Sequence, residues 1–141
     1  MMTKTLWRAA DDDSISDSAC FAETVETARL YLDPGFAGQA PAMGGRMVGF
    51  GGRRLYRAEV TIDPSRVLDV ADVRDATGAI ADVIGVRHPG AIEADDYAPR
   101  VSYEIREAGY DWVRVQECYP ADTITWIFVG ALNVEPEMEE V

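Results

Sequence analysis

Polar and apolar residues alternate over 55–62, with Tyr56, Ala58, Val60 and Ile62 on one side and Leu55, Arg57, Glu59 and Thr61 on the other. Period two predicts a strand with one apolar face. Residues 6–10 read as an earlier strand running into the Asp11-Asp12-Asp13 turn, and 19–22 as a second short one. Thr24 then has the character of a helix N-cap. Val25, Ala28 and Leu32 follow at i, i+3 and i+7, and Asp33-Pro34-Gly35 supplies the stop. After the 55–62 strand, Asp63-Pro64-Ser65 predicts a turn and 66–70 a further strand. Val73, Ala76, Ile80, Val83 and Ile84 recur at helical spacing up to Gly85. Another helix is expected from about Pro99, with Val101, Ile105 and Ala108 inside and Gly109 as its end. Residues 112–118 and 123–129 read as two strands joined by a turn at 119–122, and the acidic tail 135–141 as frayed. The predicted order is ββα, ββ, αα, ββ, about six strands and three helices. That order favours an α+β fold with a largely antiparallel sheet over a parallel βαβ array.

One segment breaks the pattern. Seven of the eighteen residues in 35–52 are glycine, with Pro41 among them and no apolar period. Two readings stand, a cover over a substrate and a plain disordered loop. No Gly-Lys-Ser/Thr follows, so it is not a phosphate-binding loop of the Walker type.

With 141 residues, the chain has the length of one domain, 1–141. Its 48% hydrophobic and 27% charged residues are the mix of a soluble globular protein. No apolar run approaches the ~20 residues of a membrane span, and the N-terminus lacks the apolar core of a secretory signal. The expected location is the cytoplasm. The charge changes the picture further: 25 Asp and Glu against 13 Lys and Arg give a net charge of -12. Such a surface repels nucleic acid and anionic membranes, which disfavours direct binding to either. On general grounds of surface composition it reads first as a solubility device, and second as a face for a basic protein partner.

Several chemistries are excluded by residue type. Cys20, Cys118 and the single His88 form no metal-ligand spacing, so no metal site is expected. There is no Gly-x-Ser-x-Gly elbow and no dinucleotide-binding Gly-x-Gly-x-x-Gly in the right context. Carboxylate chemistry assisted by arginine and aromatic groups remains. Glu117 ends the strand pattern Trp112-Val113-Arg114-Val115-Gln116-Glu117, and period two places it with Val113 and Val115. A carboxylate there either has a task or is solvated at the rim of a strand that has ended. Gln116 falls on the other side, beside Arg114. Arg8, in Leu6-Trp7-Arg8-Ala9, is either a solvated strand arginine or a bidentate grip for a diphosphate. Tyr31 offers a stacking face or core packing.

In chain order these pieces resemble the ADP-ribosyltransferase superfamily. Leu6-Trp7-Arg8-Ala9 is similar to its "L-Y-R/H-G" opening, and the stretch from Cys20-Phe21-Ala22-Glu23-Thr24 to Tyr31 to its "Y-F-A/S-x-S/T-x-E-x-A-x-x-Y" segment. Leu55-Tyr56-Arg57-Ala58-Glu59-Val60 followed by Val67-Leu68-Asp69-Val70 resembles "v-Y-x-V-x-V … v-L-D-l". Gly109-Tyr110-Asp111 through Gln116-Glu117 resembles "G-Y-D-x-V-x-x-x-E", the strand that delivers the catalytic acid, and Trp126-Ile127-Phe128-Val129 the closing strand. The likeness spans residues 6–134, with order and spacing carrying more than any one motif. Within the superfamily it looks most like the compact phage anti-CRISPR type, which also carries Gln directly before the acid.

The resemblance implies a compact fold with a split sheet and NAD as co-substrate. It implies Glu117 as the catalytic acid on the 2′-hydroxyl of the nicotinamide ribose, Arg8 on the diphosphate, and Tyr31 against nicotinamide. Thr24, or its neighbour Glu23, would stand near the family's supporting Ser/Thr, and Trp7, Ala9, Phe21 and Gln116 would line the NAD site. The implied activity is mono-ADP-ribosylation of a host or partner protein, with inhibition of a nucleoprotein defence complex as one setting. An NAD glycohydrolase or phosphorylase of the RES toxin type, and a non-catalytic acidic module that mimics nucleic acid, are the competing readings.

Overall fold

Backbone pairing runs outward from the first strand. The computed structural model describes residues 1–13, 15, 19–33, 52–70, 105–118, 121–130 and 136–141. Strand β1 (Met2–Ala10) pairs antiparallel with β3 (Arg54–Ile62) along its whole length, from Met2 opposite Ile62 to Ala10 opposite Arg54. On its other side it meets β2 (Ala19–Ala22) at the single register pair Trp7 and Ala22. Strand β2 pairs with β6 (Ala121–Phe128), β6 with β5 (Trp112–Cys118), and β5 in parallel with β4 (Val67–Val70). A short strand β7 (Met138–Glu140) closes the far edge against β3. The order β4-β5-β6-β2-β1-β3-β7 is one seven-stranded sheet, antiparallel except at β4–β5.

The α+β class and the mainly antiparallel sheet therefore match the sequence pattern, and three details differ. The sheet is continuous where two separate halves were expected, though its halves join at one register pair. Strand β1 begins at Met2 because β3 offers a partner at every position; Lys4 hides this in the pattern by interrupting the apolar positions Met2 and Leu6. The acidic tail is not frayed where β7 pairs with β3, and Arg57–Glu139 and Arg54–Glu140 ion pairs cross that edge.

Local chemistry explains the element ends. Thr24 caps helix α1 (Val25–Leu30), its hydroxyl accepting from the Thr27 N–H at 3.2 Å. The helix stops at Tyr31, which is 1% exposed, so Tyr31 and Ala28 are buried and Leu32 lies outside. Asp63 caps the 3-10 turn Pro64–Arg66 by accepting from the Ser65 N–H at 3.0 Å. Gly109, at φ +105°, ends a helical turn at 105–107, a conformation that glycine adopts at little cost. Ile105 is buried as expected and Ala108 is exposed. The expected 73–84 helix, the start of the Pro99 helix, residues 35–51 of the glycine-rich segment, Tyr119-Pro120 and His88 lie outside the described residues. Strand β6 begins at Ala121, two residues before its expected start.

One face of the sheet carries the aromatic core. Leu6, Phe21, Ala58, Val60, Ile62, Trp112, Trp126 and Phe128 cluster there, with Met2, Val67, Ile124 and Met138 packed around them. Trp112 meets Phe21, Trp126 and Phe128 edge-on at centroid distances of 5.8, 6.2 and 5.1 Å. On the other face Ala9, Val113, Val115 and Ile127 are each 0% exposed. Replacing Trp112 with Ala removes the ring on which the others converge and should cost roughly 3–5 kcal/mol of unfolding free energy. Urea denaturation followed by circular dichroism checks this.

Candidate functional site

Among the described residues, Arg8 is the charged side chain that the fold buries. It is 6% exposed, on the aromatic face of β1, with its guanidinium 5.9 Å from the Phe21 ring centroid. Nη1 donates to the Cys20 carbonyl at 3.3 Å, across the seam between β1 and β2. Nε is buried and has no hydrogen-bond partner among the described residues. Burial pushes the guanidinium below its ordinary value, against the opposing influence of Cys20 and Asp12. Arginine remains protonated under such a shift, so Nε stays a buried donor with no acceptor among the described residues. A diphosphate oxygen is a suitable partner for such a donor.

A second polar group sits where β2 leaves the sheet. Glu23 Oε1 accepts from Trp126 Nε1 at 2.7 Å and from Lys4 Nζ at 3.3 Å. The Lys4 ammonium also lies 5.5 Å from the Trp126 ring centroid. The next residue, Thr24, caps α1 and also donates its hydroxyl to Thr27 Oγ1 at 2.9 Å, so its hydroxyl is engaged within the helix cap.

Across the sheet, Ala22 pairs with Thr125 and Thr125 with Val115. This row puts the β2–α1 junction and the Gln116-Glu117 end of β5 at the same end of the sheet, two strand spacings or about 10 Å apart. Gln116 is exposed and pairs with Ile124; the register shifts before Cys118 pairs with Ala121. The strict alternation that grouped Glu117 with Val113 and Val115 therefore ends at Gln116, and Glu117 lies within an irregularity of the kind that re-aims side chains. The side chains of Glu117 and Cys118 lie outside the described structure.

The other expected residues divide between the two faces. Trp7 is partly buried and Ala9 is 0% exposed, and the pleat sets both on the face opposite Arg8. Phe21 is 0% and Tyr31 1% exposed, both packed in the interior. The fold thus brings Glu23, Thr24 and the β5 end to one end of the sheet, while Arg8 and Phe21 lie on the other side of the row that joins Trp7, Ala22, Thr125 and Val115. Lys4 and Trp126 were missed as polar partners, because nothing in the sequence links either one to Glu23. Beyond Ala10, at the end of β1 nearer Arg8, Asp11, Arg53 and Arg54 line an open cleft of about 310 Å³. No group of His, Cys, Asp and Glu among the described residues could hold a metal ion, and no described helix is long and apolar enough to cross a membrane.

No family model matches the chain, and no curated protein matches it. Among solved structures it is similar to one described as the crystal structure of an anti-CRISPR protein. The two are 15% identical, the match covers 99% of this chain and 96% of that one, and the TM-score is 0.48.

The Arg8 environment yields a prediction of unusual sign. A buried cation with an orphaned donor is costly, so an apolar side chain of similar length should be tolerated. Arg8→Met should leave the unfolding free energy within about 1 kcal/mol of the wild type or raise it. Arg8→Ala, which empties the space over Phe21, should lower it by roughly 2–4 kcal/mol. Paired urea unfolding curves check both.

Proposed function

We propose that the protein is an NAD-dependent mono-ADP-ribosyltransferase acting on a partner protein. The observation that carries this reading is the convergence of the β2–α1 junction and the Gln116-Glu117 end of β5 at one end of the sheet, joined by the Ala22, Thr125 and Val115 row. Arg8 supports it from β1, three strand spacings or about 14 Å across the sheet from β5 and three residues or about 10 Å along it from the level of Glu117. Two long side chains and an extended dinucleotide span such a distance.

In this reading Arg8 Nε donates to a diphosphate oxygen and the Glu117 carboxylate accepts from the 2′-hydroxyl of the nicotinamide ribose. The bond from the anomeric carbon to the pyridinium nitrogen breaks, and its electron pair leaves with neutral nicotinamide. A lone pair on the acceptor forms the new bond to that carbon, and the acceptor's proton passes to solvent. Positive charge builds on the ribose between these events, and a fixed carboxylate stabilises it most where water is scarce. The net charge of -12 favours an acceptor with a basic surface, such as the protein component of a nucleoprotein defence complex.

The test is incubation of the purified protein with labelled NAD⁺ and host-cell lysate beside Glu117→Gln. Label should be fixed on a protein and fall at least ~100-fold in rate in the variant, the scale of removing one preorganised electrostatic stabiliser. NAD⁺ loss without labelled protein would assign a hydrolase, and intact NAD⁺ in every lane would end the enzyme reading. Arg8→Met should weaken NAD⁺ binding by about tenfold in titration calorimetry, the worth of a hydrogen bond to a charged group.

A further inference from the structure

Glu23 stands at the junction that this reading depends on, and its contacts reach two other strands. Through Trp126 it is tied to β6, whose Trp126 pairs with Phe21 on one side and Arg114 on the other. Through Lys4 it is tied to β1. Strand β2 is only four residues long; all four pair with β6, but it meets β1 at one register pair, so its backbone holds the junction weakly on the β1 side. The Glu23 contacts supply what that ladder lacks.

Trp126 is 1% exposed, and its indole N–H must find an acceptor inside the protein. The Glu23 and Lys4 side chains are 31% and 33% exposed, so their ion pair is screened by water. The indole bond, at 2.7 Å to a nearly enclosed donor, is the stronger constraint on where Glu23 sits.

We infer that Glu23 is a positioning residue for the proposed reaction: its bond to the Trp126 indole sets Phe21 and the α1 cap against the Gln116-Glu117 end of β5. The inference rests on the transferase reading and adds a residue whose action depends on reach rather than on charge. A misplacement near 1 Å at a reacting centre can cost up to about 100-fold in rate, so loss of the strut should appear in kcat.

The experiment compares NAD⁺ turnover by the full chain, wild type against Glu23→Gln, Glu23→Asp and Glu23→Ala, at a temperature where circular dichroism shows each fully folded. Glu23→Gln keeps a full-length acceptor for the indole and should stay within a few-fold of the wild-type kcat. Glu23→Asp keeps the charge but not the reach, and with Glu23→Ala should lose at least about tenfold in kcat. The indole N–H resonance of Trp126 should shift in Asp and Ala and hold in Gln. Full activity in Glu23→Ala, or rescue by Asp and not by Gln, overturns the inference while leaving the transferase reading in place. Absence of NAD⁺ turnover in the wild type overturns both.

Discussion

The fold hangs on a seam. Strand β1 is in register with β3 at every residue but with β2 at one pair, so the halves β4-β5-β6-β2 and β1-β3-β7 are scarcely joined by backbone. Side chains make up the difference. Leu6 from β1 and Ala58, Val60 and Ile62 from β3 share one cluster with Phe21, Trp112, Trp126 and Phe128 from the other half. Burial of these aromatic and aliphatic groups, each worth roughly 1.5–3 kcal/mol, holds the sheet together where its ladder does not. The two polar bridges over the seam, Arg8 to the Cys20 carbonyl and Lys4 to Glu23, flank that cluster.

A second constraint fixes the strand that carries Glu117. Asp111 grips Arg66 with two hydrogen bonds, Nε at 2.7 Å and Nη2 at 3.0 Å, and this partner holds the guanidinium above its ordinary value. The backbone repeats the link: the Asp111 N–H donates to the Arg66 carbonyl, and the Val129 N–H to the Asp111 carbonyl. Arg106 Nε adds a bond to the Val129 carbonyl at 2.6 Å. The joint aligns the parallel β4–β5 pair, which begins with Val67 opposite Trp112. Asp111 in the Gly-Tyr-Asp motif thus has an architectural task, setting the start of the strand whose other end is the candidate site.

Arg8 carries a tension between stability and use. Its Nη1 bond and the Phe21 ring compensate part of its desolvation, but Nε lacks a partner among the described residues. An apolar residue would fill the place at lower cost, which is why a ligand-binding role for the charge is worth testing separately from folding. The exposed Arg57–Glu139 and Arg54–Glu140 pairs at the other edge carry no such tension, since water screens both partners.

What the sequence determined was local. The alternation of 55–62 foretold the faces of β3, Thr24 the cap of α1, Gly109 the end of a helical turn, and Asp63-Pro64-Ser65 the turn before β4, because each follows from neighbours within one or two turns of chain. Tertiary structure decided the rest. Tyr31 rather than Leu32 became the buried end of α1, since the helix closed at Leu30 with Tyr31 as its C-cap, two residues before the apolar spacing suggested. The tail became β7 because β3 offered it a free edge, which no pattern within 135–141 encodes. Glu117 could be singled out from its valine neighbours, but the register shift beside it arises from pairing with β6 and is invisible in β5 alone. Glu23, Lys4 and Trp126 meet only when β1, β2 and β6 lie side by side, and a hydrogen bond between residues 103 positions apart leaves no periodic trace in the chain.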